Sequence, residues 1–144
     1  MARKFKTVNY ADALRQTITL GDCLPLDHLA RFIVGVIGLL DLSSFYAWYA
    51  PIGGQAFAPE ALLGLLLYGY ATGVFSSRKL ETATYESLPF RFIAGGLHPD
   101  HSTIVEFRKT FRAEIMELFA QVLVLAHEAG TLKLGNTSLD SRRR

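Results

Sequence analysis

Between Leu42 and Ser77 the chain carries one formal charge, Glu60, and this stretch constrains the fold more than any other. A run so poor in charge must be buried, in lipid or in a protein core. Pro51, Gly53, Gly54 and Pro59 interrupt its first half. The unbroken part, Ala61 to Phe75, is about three-quarters of a bilayer span, and it holds Gly64, Gly69, Thr72 and Gly73. It reads as a buried core helix, with no membrane contact. At 144 residues, 50% hydrophobic and 19% charged, the chain is one packed domain and not a disordered polymer.

Helical periodicity extends on both sides of that run. Pro25 and Asp27 form a start signal with aspartate as N-cap, and Leu29, Phe32, Ile33, Val36, Ile37 and Leu40 then recur at helical spacing. Phe45 to Tyr49 allows a short helix, with Trp48, Tyr46 and Tyr49 read as core or domain-contact residues. After a loop from Pro51 to Ala58, Pro59 suits a first helical turn, and Gly73 stops the helix after Thr72. Ser76 or Ser77 caps a helix from about Arg78 to Ser87, which Pro89 ends ahead of an aromatic segment, Phe90 to Ile93. The last helix is the longest. Thr103 and Glu106 have capping-box spacing, with Asp100 and Ser102 as alternative caps. Phe107, Phe111, Ile115, Leu118, Val122 and Leu125 form one continuous stripe up to Gly130. Leu132, Leu134 and Leu139 lie in a strand-like tail ending at Asp140.

The expected fold is therefore all-α: about five to six helices containing a helix-turn-helix-like unit. Residues 1–24 form a basic, irregular arm with at most one short helix, 25–130 the helical domain, and 131–144 the strand-like tail.

Charge and metal-ligand patterns exclude several functions. The net charge of +2 is unevenly placed: Arg3, Lys4, Lys6, Arg142, Arg143 and Arg144 supply six of fifteen basic residues. Without those six, nine basic residues face thirteen acidic ones, so any surface for a polyanion must be local. Cys23 is the single cysteine, which fits a reducing compartment and a small buried hydrophobe. The basic start is followed by polar Thr7 to Gln16, with no apolar signal core. The four histidines, His28, His98, His101 and His127, are scattered and make no zinc pattern. No serine lies in a nucleophile-elbow setting. Gly35, Gly38, Gly64 and Gly69 fit close helix–helix contact rather than a phosphate loop.

The chemistry concentrates between Leu62 and Arg112. A helix, a tight turn from Gly73 to Ser76 and a second helix have helix-turn-helix form. The second helix begins with Ser77, Arg78 and Lys79. Backbone N–H groups at a helix start, with hydroxyls and cations beside them, suit a phosphate. The pattern recurs at His98 to Thr103, with His101, Ser102 and Thr103 as candidate contacts, and continues into Arg108, Lys109 and Arg112. Arg108 and Arg112 are four apart and share a face largely away from the Phe107, Phe111 and Ile115 stripe. Two readings stay open: a DNA-contacting surface, or solvated helix faces on which Glu106 pairs with Lys109.

Beyond spacing, the chain resembles the N-terminal domain of bacterial insertion-sequence transposases of the DDE type. The resemblance rests on Pro59-Glu60-Ala61-Leu62-Leu63, Leu67-Tyr68-Gly69-Tyr70-Ala71-Thr72-Gly73 and Ser76-Ser77-Arg78-Lys79-Leu80-Glu81. It continues through Phe90-Arg91-Phe92-Ile93-Ala94-Gly95, His98-Pro99-Asp100-His101-Ser102-Thr103-Ile104 and Phe107-Arg108. His28-Leu29-Ala30-Arg31-Phe32 and Leu40-Asp41-Leu42 are similar to that family as well. It implies a domain that holds double-stranded DNA at the element's ends, in the bacterial cytoplasm. It also implies a following ribonuclease-H-like core whose three carboxylates bind two divalent metals, usually Mg2+. Asp140 matches the first of those acids, but Ser141-Arg142-Arg143-Arg144 departs from the glycine, threonine and lysine that follow it in the family.

The resulting expectation is a truncated transposase that binds DNA, lacks a complete catalytic core and needs no cofactor of its own. The rival expectation is a protein-interaction module that dimerises or docks on a full-length transposase without touching DNA. An autonomous nuclease is the third and weakest.

Overall fold

The computed structural model describes residues 4–49 and 56–130. All regular structure among them is helical: α1 Tyr10–Leu14, α2 Leu20–Cys23, α3 Leu29–Ile37, α4 Ser43–Tyr49, α5 Pro59–Thr72, α6 Ser77–Glu86, α7 Leu88–Ile93, α8 His101–Thr110 and α9 Arg112–Glu128. The all-α expectation holds. The loop from Pro51, the strand-like tail, Asp140 and the terminal arginines lie wholly or largely outside the described residues.

The middle of the charge-poor run, in α5, is the centre of the core. Every residue from Leu62 to Gly69 in α5 is buried, so this helix is apolar around its whole circumference and packs on several neighbours. It lies against α3, α6 and α7. Pro59 occupies its first turn, and Gly73 ends it in the left-handed conformation at φ 85°, which a residue with a Cβ rarely adopts. No described helix is long and apolar enough to cross a membrane.

Close approach explains two of the four helical glycines. A Cβ on Gly64 would lie 2.6 Å from Ile93 Cγ2 of α7, and one on Gly69 would lie 2.5 Å from the Val74 carbonyl oxygen. Gly35 and Gly38, expected to do the same, do not: Gly35 has nothing within 4 Å, and Gly38 meets only its own helix backbone.

Several boundaries moved, each for a local physical reason. His28, rather than Asp27, caps α3, its Nδ1 accepting from the Ala30 N–H at 3.0 Å. Pro89 does follow the end of α6 but also sits in the first turn of α7, where its missing N–H is harmless. The single long last helix is two helices, α8 and α9, meeting at Phe111. Neither glycine nor proline marks that junction. Tertiary packing does: Phe111, 3% exposed, lies 4.6 Å from the Phe45 ring, 5.1 Å from Phe107 and 5.5 Å from Trp48.

The N-terminal arm contains two short helices, capped by Asn9 and Thr19. Arg31 ties the second to α3, its Nε donating to the Leu24 carbonyl at 2.9 Å and its Nη2 to the Gly21 carbonyl at 3.2 Å. The same guanidinium lies 5.9 Å over the Phe92 ring. Cys23 is half-buried rather than enclosed. Trp48 and Tyr46 each keep 47% exposure, although the Tyr46 hydroxyl donates to Glu60 and so pins α4 to the start of α5.

Candidate nucleic-acid interface

The turn between α5 and α6 organises the cationic residues. The Val74 N–H donates to the Gly69 carbonyl at 2.7 Å, folding the chain back sharply. Ser76 then caps α6, its Oγ accepting from the Lys79 N–H at 3.3 Å. Ser77 is half-buried, and Arg78 and Lys79 are exposed. No acidic residue occupies the first turn of α6. The N–H groups of Ser77 and Arg78 therefore retain the partial positive charge of a helix start.

Arg108 comes to the same place from α8. Its Nη2 donates to the Phe75 carbonyl at 3.1 Å, one residue before the Ser76 cap. At the far end of the pair, the Glu81 carboxylate meets His101. These two ties run α6 and α8 antiparallel and set Arg108 beside the start of α6. The cations flank the turn on two sides. Arg78 and Lys79 border an open groove with Tyr68, Thr82 and Phe90, while Arg108 and Arg112 border a second, apolar one. Val74 is common to both grooves.

The start of α8 has a different character. Glu81 Oε1 accepts from the His101 N–H at 2.9 Å and lies 2.8 Å from His101 Nδ1. Thr103 donates its hydroxyl proton to Asp100. The His101 contacts hold the Glu81 carboxyl below its usual range, and the Thr103 hydroxyl does the same for Asp100. Two carboxylates of the chain itself therefore occupy this helix start. Ser102 stays exposed, and Thr103 and His101 are half-buried. Sequence spacing offered no sign of Glu81, which pairs across twenty residues.

The sign of this coupling gives a pH test. Because the folded pKa of Glu81 is depressed, its contribution is complete above the ordinary carboxyl value of 4.5 and is lost as pH falls through the lower folded value. Glu81→Gln should therefore lower the melting temperature at neutral pH and lose that deficit in acid. A deficit unchanged across a thermal-denaturation pH series would refute the Glu81–His101 contact.

The remaining candidates are placed as follows. Lys109 is exposed, and it makes no ion pair with Glu106. Arg112 begins α9 beyond the break and turns to the apolar groove, so it and Arg108 no longer share one continuous helix. That groove brings them beside Ile115, although the sequence had put their face largely away from the apolar stripe. His98 belongs to the polar approach to α8 and to no metal site among the described residues. It stacks on Tyr85 at 3.7 Å and 4°, with its Nδ1 3.0 Å from the Thr84 hydroxyl, which fixes the loop leading into α8.

The transposase domain family known as DUF772 matches residues 18–110, covering α2 through α8 and every element of this interface except Arg112. The chain belongs to that family. No curated protein and no solved structure is similar enough to be matched. The described residues contain no group of three or more His, Cys, Asp or Glu able to hold a metal. They offer no seat for the magnesium pair implied by the DDE resemblance, and no step through it follows.

Proposed function

We propose that this transposase domain grips double-stranded DNA at the ends of a bacterial insertion-sequence element, as part of a DDE-type enzyme. The observation that carries the reading is the start of α6: a helix N-terminus with no acid in its first turn, Arg78 and Lys79 exposed within that turn, and Arg108 tied to the Phe75 carbonyl just before the cap. A phosphate there would receive backbone N–H groups with the Ser77 hydroxyl beside them, and the cations on either side of the turn would attract neighbouring phosphates. Lys109 extends the positive surface along α8. His101 to Thr103 fit less well, because Glu81 and Asp100 already supply the negative charge that helix start attracts. In this reading the domain holds and orients DNA, and strand transfer is the work of the family's acidic core.

The test is binding to a duplex of the element's terminal sequence at several salt concentrations, with an unrelated duplex as reference. Each neutralised phosphate adds roughly 0.9 to the slope of log affinity against log salt. Arg78→Ala/Lys79→Ala should weaken binding about tenfold and reduce the slope by about 1.8, with the helical circular dichroism unchanged. Affinity and slope equal to those of the parent chain would remove this surface from the proposal.

A further inference from the structure

The outward face of α9 is built like one half of a two-helix seam. Its inner side is occupied by Ile115, Val122 and Ala126, all buried in the core. Opposite them, Ala113, Met116, Ala120 and Leu123 follow one another at intervals of three, four and three, and all four are exposed. Met116 is 67% and Leu123 44% exposed, and Val124 beside them is 57% exposed. This is the a/d spacing by which one helix packs along another. The apolar groove of about 460 Å³ continues the same face towards Tyr70 and Phe75, themselves 61% and 60% exposed.

Charge decides what covers it. At 100° per residue, Arg112 lies on the groove side of the seam, close to Arg108. Glu117, Gln121 and Glu128 lie on the other side. The helix thus has one basic and one acidic edge. We infer that this face pairs with the same face of a second copy of the chain, the two α9 helices running parallel. A parallel two-fold sets the basic edge of each copy against the acidic edge of the other. With Ala113 as a and Met116 as d, Arg112 is a g position and Glu117 the e position five residues on, the pairing that joins parallel coiled coils. An antiparallel two-fold sets basic edge against basic edge and acidic against acidic. The two alanines let the helices approach closely. Arg108 and Arg112 border both this seam and the proposed DNA surface, so the pairing is tested without DNA.

The experiment is sedimentation equilibrium of the intact chain, without DNA. A reversible dimer is expected, and Leu123→Glu, at an exposed position, should raise its dissociation constant at least about tenfold while leaving the helical signal intact. Arg112→Glu alone should weaken it about threefold, and adding Glu117→Arg should restore it. Parallel alignment is read from Cys23→Ser/Met116→Cys. The two introduced thiols meet at a d layer and should cross-link under mild oxidation, whereas an antiparallel crossing at Ala120 holds them about 12 Å apart. A chain that stays monomeric at about 100 μM overturns the proposal, whether a masking segment or a different partner covers the face. So does a dimer indifferent to Leu123→Glu. Failure of the charge swap to restore, or of the thiols to cross-link, overturns the parallel arrangement.

Discussion

Replacing Phe45 with alanine should cost about 3–5 kcal/mol of folding stability, the largest effect expected of any single truncation in this domain. Phe45 is 1% exposed and is the buried residue of α4. Its ring lies 5.8 Å from Phe107 and 4.6 Å from Phe111, and thus holds α4 against the α8–α9 junction. A helix of seven residues has little stability alone and depends on such an anchor. Removing the ring leaves a cavity between aromatic groups whose backbones are fixed by separate helices, so collapse is limited. In a domain of this size the loss corresponds to a fall in melting temperature on the order of 10 °C. Urea and thermal denaturation followed by circular dichroism measure it directly. Phe75→Ala serves as the comparison, because that ring is 60% exposed and its loss should change stability by no more than about 0.5 kcal/mol. If the two variants proved equally stable, α4 would not be docked where the structure puts it.

The second large effect is expected at Gly69. Its missing Cβ is what allows the chain to reverse between α5 and α6. A methyl group there would stand 2.5 Å from the Val74 carbonyl oxygen and 2.8 Å from Leu80 Cδ2. Leu80 can turn aside, but the Val74 backbone cannot, because its N–H is tied to the Gly69 carbonyl at 2.7 Å. Gly69→Ala should therefore cost about 3 kcal/mol, at the upper end for overpacking. It should also disturb the start of α6 and the carbonyl of Phe75 that Arg108 holds, so the proposed DNA grip should weaken along with stability. Gly35→Ala provides the opposite result. With nothing within 4 Å of a new Cβ inside α3, it should be stabilising by about 0.5–1 kcal/mol. Chemical denaturation of the pair tests the geometry of the turn, since a neutral Gly69→Ala would mean that the two helices do not close on that residue.

The family match supports the transposase resemblance read from the sequence, and it spans the same helices that carry the quoted motifs. Much of the interface was legible at that level because its parts are local. Ser76 as the cap of α6 and Gly73 as the stop of α5 follow from residues within four positions of each other. Arg78 and Lys79 fall at that helix start by the same local logic. What could not be read is which other residues arrive there. Arg108 reaches the turn across thirty-three positions, and Glu81 fills the start of α8 across twenty. The first adds a cation beside one helix start and the second adds a carboxylate to another, although both starts looked alike in sequence.

Local information determined that this chain is helical, that Leu62 to Leu67 lie at its centre, and where α5 and α6 begin and end. Hydrophobic periodicity, proline, glycine and hydroxyl caps act within a turn or two of the backbone, so they are written in neighbouring residues. Only the tertiary structure decided that Phe111 would divide the last helix, that one of two similar helix starts would stay open, and that Met116 and Leu123 would face outward. Those outcomes depend on which rings, carboxylates and helices meet across long stretches of chain, where packing and solvent exclusion override the local preference.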